Sequence, residues 1–184
     1  MSGAEGRGRS HDRQLLGQSV GSGKGTRRRQ HNGVTMKSEA DPITDDEWLL
    51  RRVRVEMFRT EKTPLISPKA FEPRVSGREP DTDGISFYRA ACLANPEDVL
   101  ATIAPQRWQE YGIVRLSVSF LKSLKLSLVS KPDDRVRGHV VIPELNANDY
   151  GSDEKKRVLK AIVVKLAEQA SKDENIVRRP GSEQ

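Results

Sequence analysis

The chain has 184 residues, with 32 Lys and Arg against 26 Asp and Glu, three histidines and one cysteine. That length supports one domain of ordinary size plus a tail, and the lone Cys92 excludes an intramolecular disulfide framework and any multi-cysteine zinc site. No run of about 18 apolar residues is available for a membrane-crossing helix, and the start of the chain lacks an apolar signal-peptide core, so the expectation is a soluble cytoplasmic protein with no membrane partner.

The charge is unevenly placed. Residues 1–35 carry seven basic side chains against Glu5 and Asp12, together with eight of the fourteen glycines and two of the three histidines, His11 and His31. The remainder is close to neutral, so the basic balance belongs to the tail. With almost no apolar surface to offset its ordering entropy, the stretch 1–42 is expected to be a disordered Gly/Arg-rich tail. Met36 opens a segment that leads directly into foldable sequence, so residues 1–35 are a candidate non-native extension. Within the tail, Gly21, Gly23 and Lys24 imitate a phosphate loop, but no buried strand precedes them and the leading glycine is out of register, so the match is read as false. Arg27, Arg28 and Arg29 are the one place where nucleic-acid contact is expected, through phosphates and without sequence preference.

Beyond the tail, Thr44-Asp45-Asp46-Glu47 has the spacing of a capping box opening a short helical turn. Val53, Val55 and Met57 then alternate with Arg52, Arg54 and Glu56, predicting a strand that buries one face. Ser67-Pro68 sets a short helical turn, residues 74–84 form a polar loop, and residues 85–88 form a brief strand. Asn95-Pro96-Glu97-Asp98 is a helix start, with Pro105 ending that helix. Trp108 and Tyr111 are placed in a second helical piece closed by Gly112.

Val114, Leu116, Val118 and Phe120 alternate with polar residues, as do Leu124, Leu126 and Leu128, giving two strands or one bent strand. Residues 131–134 form a turn and residues 137–142 a strand stopped by Pro143. Residues 152–171 read as a long amphipathic helix on Val158, Leu159, Ile162, Val163, Leu166 and Ala170, and Ile176-Val177 as an edge strand. The expected fold is a single α+β domain over residues 43–180. A mixed or mostly antiparallel sheet of about five strands packs one face against the C-terminal helix, and residues 181–184 are a disordered end.

Few residues invite chemistry. His139 is the one histidine outside the tail; on a strand beside Gly138 it can act as acid or base, or simply as a half-exposed strand residue. No metal-ligand spacing is present: Asp81-Thr82-Asp83-Gly84 is a turn, because Ile85 and Cys92 stand where a calcium loop needs ligands. No cofactor is implied. The candidate binding surface is Arg52, Ser86, Tyr88 and His139. Together with Arg51 and Ser67 these residues are compatible in order with small mixed-sheet domains that transfer ADP-ribose from NAD, but they match no diagnostic spacing and support no family assignment. The expected function is a noncatalytic binding or regulatory module for a macromolecular, most simply protein, partner. The alternative is an enzyme acting on a nucleotide-derived substrate, ADP-ribosyl-transferring or hydrolytic, with Arg52 anchoring phosphate and His139 or Tyr88 as acid and base.

Overall fold

Six strands pair side by side in one antiparallel sheet, in the order β4-β5-β2-β1-β3-β6. They are β1 (Trp48–Arg54), β2 (Ile85–Arg89), β3 (Tyr111–Ser117), β4 (Val129–Ser130), β5 (His139–Ile142) and β6 (Ile176–Arg178). The helices are α1 (Val118–Ser123), α2 (Ala147–Tyr150) and α3 (Asp153–Ala170). The computed structural model describes residues 36–59, 65–77, 80–150 and 153–181; what is expected of residues 1–35, including Gly21, Gly23, Lys24 and Arg27 to Arg29, lies outside them. Among the described residues no helix is long and apolar enough to cross a membrane.

One sheet face carries Leu49, Val53, Phe87, Val114, Leu116, Val140 and Ile142 against Leu159, Val163, Leu166, Ala167 and Ala170 of α3. Each fully buried Leu or Val contributes about 1.5–3 kcal/mol relative to exposure, and α3 presents these residues at three- and four-residue spacing for that purpose. Val158, expected on the same stripe, is instead 63% exposed, since it lies one position off the buried arc.

The opposite face is covered too, contrary to a sheet buried on one side. Leu50, Tyr88, Ile113 and Val136 pack there with Val99 and Leu100, from the 3-10 turn Pro96–Leu100. Asp98 anchors that turn by accepting the amides of Ala94 and Asn95 at 3.0 and 2.9 Å. This second layer corrects the position of β1. The strand begins at Trp48 and is over by Arg54, and adjacent Leu49 and Leu50 are both buried, on opposite faces. Val55 and Met57 belong to a 3-10 turn, and Val55 is 48% exposed.

Two further expectations change. The alternation through Phe120 does not continue as strand, because the Ser117 hydroxyl accepts the Phe120 amide at 3.2 Å and caps α1. Lys125, at φ 60, then reverses the chain in the left-handed region, so Leu124 and Leu126 sit in a loop and only Val129–Ser130 pairs with β5. Gly112 ends no helix. It lies inside β3, where a β-carbon would strike the Phe58 ring, and Tyr111 is the first residue of that strand.

The start of the domain is fixed by a buried ion pair. Arg89, fully buried, donates from Nε and Nη2 to the two carboxylate oxygens of Glu47, each at 2.8 Å. Its remaining donors reach the carbonyls of Asp41 at 2.7 Å and Pro42 at 3.2 Å. Glu47 also accepts from Lys37 Nζ at 3.0 Å and from the Thr44 amide and hydroxyl at 3.1 Å each. The Thr44–Glu47 pair thus makes a tight turn straight into β1 rather than a helix. The segment from Lys37 to Pro42 is bonded to the sheet through Lys37, Asp41 and Pro42.

Burial opposes ionisation of Glu47, but the Arg89 fork, the Thr44 amide and Lys37 outweigh it and hold its pKa at about 2, below the usual 4.5. Because the folded pKa is the lower one, this stabilisation is complete above the unfolded value and is lost as pH falls from about 4.5 toward 2. Acid titration followed by circular dichroism should show that loss, with Glu47→Gln flattening it. At neutral pH, Arg89→Met should cost about 3–5 kcal/mol in urea unfolding, the range for stranding one member of a buried pair.

Candidate functional site

Alternation along β2 puts Ser86 and Tyr88 on the same face, away from α3. Register with β5 sets Tyr88 opposite His139 and Ser86 opposite Val141, so the imidazole reaches Ser86 on the diagonal. The chain enters β5 through Gly138 at φ 72, in the left-handed region that favours glycine, where a β-carbon would lie 2.8 Å from that of Cys92. The Gly138 carbonyl accepts the Arg89 amide at 2.8 Å, and its own amide donates to the Glu39 carboxylate. The residue preceding His139 is therefore tied to the main chain of Arg89, a member of the buried ion pair.

The imidazole has two partners. Nδ1 lies 2.9 Å from the Lys131 carbonyl and Nε2 lies 3.0 Å from the Ser86 hydroxyl. A carbonyl only accepts, so in the neutral ring the proton sits on Nδ1 and Nε2 accepts from Ser86. A second bond, from the Lys131 amide to the His139 carbonyl at 2.9 Å, locks the same two residues together through the main chain.

Ser86, His139 and Val141 floor an open depression of about 480 Å³. Its walls are the turns at residues 80–84 and 131–134, both recognisable in the sequence as turns. On one wall Arg74 grips Asp81 through Nη2 at 2.9 Å and Nε at 3.2 Å. Lys131 pairs with Asp83 across the opening, and Asp133 and Asp134 complete the far side.

The four sequence-selected residues form a chain of contacts, yet only two open on this depression. Tyr88 is 4% exposed, its ring 5.3 Å from that of His139 on one side and 5.9 Å from the Arg52 guanidinium on the other. Arg52 donates from Nη1 to the Val99 carbonyl at 3.2 Å and to the Thr102 hydroxyl at 2.5 Å. Both are tied into the packing of the second layer. Ser86 meets another arginine: its carbonyl accepts Arg51 Nη1 at 2.7 Å. Arg51 lies against Phe71 and Phe87, with Nε on the Ala70 carbonyl at 2.9 Å, and burial lowers its pKa to about 10, so it stays cationic at neutral pH.

Chemically, the pair has the nucleophile-to-base geometry of a hydrolase, oriented by a carbonyl in place of a carboxylate. Ser86, however, sits mid-strand in the ladder with Val141. It is not at a sharp turn from which neighbouring amides point at a developing oxyanion. Among the described residues no group of three or more His, Cys, Asp or Glu can hold a metal ion. Cys92 is a packing residue: burial raises its thiol pKa, and its sulfur lies 3.9 Å from the Ser38 carbonyl.

Sequence reasoning missed Lys131 and Asp83. Each was visible as part of a turn, but only the β2–β5 pairing brings the two turns together. Nitrogen-15 NMR of the neutral His139 ring should show the proton on Nδ1, and Ser86→Ala should leave it there, because the Lys131 carbonyl fixes it alone. Gly138→Ala should destabilise the fold by more than about 1 kcal/mol and shift the His139 resonances, since the residue must hold positive φ against Cys92. No family model, curated protein or solved structure matches the chain.

Proposed function

We propose that the chain is a noncatalytic binding module that receives a polar segment of a protein partner in the depression floored by Ser86 and His139. One observation carries this: a hydrogen-bonded floor on the sheet, surrounded by an open charged rim in which Arg74 and Lys131 pair with Asp81 and Asp83, and Asp133 and Asp134 add further carboxylates. Small-molecule sites are enclosed and mostly apolar. A wide depression with charged walls instead suits the polar, wet periphery by which proteins recognise one another, where complementary charge selects partner and register.

Hydrolysis is the second reading, favoured by the 3.0 Å contact of the Ser86 hydroxyl with His139 Nε2. The phosphate-anchoring role for Arg52 is not part of it, given that side chain's bonds to Val99 and Thr102.

Two experiments separate them. A photo-crosslinking residue at Asp133 in cells should capture a discrete protein adduct whose yield falls tenfold or more, about 1.4 kcal/mol, on His139→Ala. Equal yields in the two proteins would count against the proposal. A fluorophosphonate probe should leave the purified chain unlabelled; labelling that disappears in Ser86→Ala would replace the binding reading with the hydrolytic one.

A further inference from the structure

On the same sheet face, but at the β1–β3–β6 side, Arg115 stands opposite Leu50 and diagonal to Trp48. Its guanidinium carbon lies 4.4 Å from the centre of the Trp48 ring, a closer stack than that of Arg51, Arg52 or Arg54 on its aromatic neighbour. Those three arginines, and Arg89, each also donate to an oxygen. Arg115 differs. Its Nε is buried without an acceptor, and no hydrogen bond or ion pair among the described residues engages its guanidinium. A guanidinium held over an indole by cation–π attraction still offers its edge donors, and such a planar fork meets a carboxylate with two parallel bonds.

Arg115 and Trp48 line a groove of about 230 Å³ whose other walls include Leu50, Leu93, Pro96 and Val177. Three features specify what fits. Arg115 is the one cation among the described residues that line the groove, which suits a monoanion better than a phosphate dianion. Aliphatic walls gain from an apolar group attached to that anion. The volume lies below the range of sites for drug-sized ligands, leaving space for about one amino-acid residue. We infer that this groove binds a monoanionic carboxylate carried on an aliphatic group of that size, its carboxylate on the Arg115 fork and its aliphatic part between Leu93 and Val177.

The test uses the full chain, nitrogen-15 labelled, titrated with N-acetyl-leucine, with neutral N-acetyl-leucinamide and inorganic phosphate as parallel arms. N-acetyl-leucine should move the Trp48 indole and Arg115 Nε resonances saturably, with a Kd on the order of 1 mM or tighter, while the Trp108 indole, bonded to the Ile103 carbonyl at 2.9 Å, stays in place. Arg115→Lys retains the charge and the stem but not the fork, and should weaken binding tenfold or more. Trp48→Phe, which keeps an apolar ring beside the cation, should weaken it less and serves if the lysine variant does not fold. Absence of saturable shifts, equal binding of the amide, or tighter binding of phosphate would each overturn the assignment.

Discussion

The pairing of Glu47 with Arg89 is the constraint on which the other elements depend. It joins the residue entering β1 to the last residue of β2, and so fixes the two central strands at one end of the sheet. The donors of Arg89 that Glu47 does not use are spent on the carbonyls of Asp41 and Pro42, which lays the preceding segment across the strand ends. On its other flank the Arg89 amide holds the Gly138 carbonyl, and thereby the entry to β5. Two charges withdrawn from water are stable only when their remaining donors and acceptors are met, and here the segment from Lys37 to Thr44 meets them. The position of His139 follows from the same strand end, through the main-chain bond of Arg89 to Gly138 and the β2–β5 register.

The sheet then divides its labour by face. Toward α3 it is mostly apolar, and Arg51 on that face has its guanidinium sheltered by Phe71 and Phe87 and bonded to main-chain carbonyls. The other face mixes Arg52, Tyr88, Arg115, Trp48 and His139 with a smaller apolar cluster. Polar side chains can be placed on this face because short 3-10 turns, rather than a helix, cover it. Such turns bring carbonyls and hydroxyls such as those of Val99 and Thr102 within reach of the strand arginines.

The sequence carried more of the first face than of the second. Most of the α3 stripe, the edge strand at Ile176 and the short turn after Ser67 follow from local periodicity and proline chemistry, whereas the helix expected from Asn95 to Pro105 is only a 3-10 turn that ends at Leu100. Local rules failed where a neighbour at long range decides. Leu49 and Leu50 show no alternation because both faces are covered, and the inward pattern at Val118 and Phe120 is overridden by a single serine cap. The candidate site was half legible: Ser86 and His139 could be picked as polar residues on strands, yet nothing in their sequence surroundings shows that Tyr88 is buried behind them. The partnership of Glu47 and Arg89, 42 residues apart, has no sequence signature, because each is a charged residue at a strand terminus like several others.

The manner in which the imidazole is held separates two properties that proteins often couple. Lys131 orients His139 with its carbonyl and amide alone, while its side chain reaches away to Asp83. Any residue with an amide hydrogen can supply that scaffold. The charge written on the wall is thus free to drift, or to be redesigned toward a different partner, without disturbing the serine–histidine couple beneath it. In this fold the floor needs Ser86, His139 and Gly138 but only the main chain of Lys131, which leaves the rim as the part on which selection for specificity can act independently.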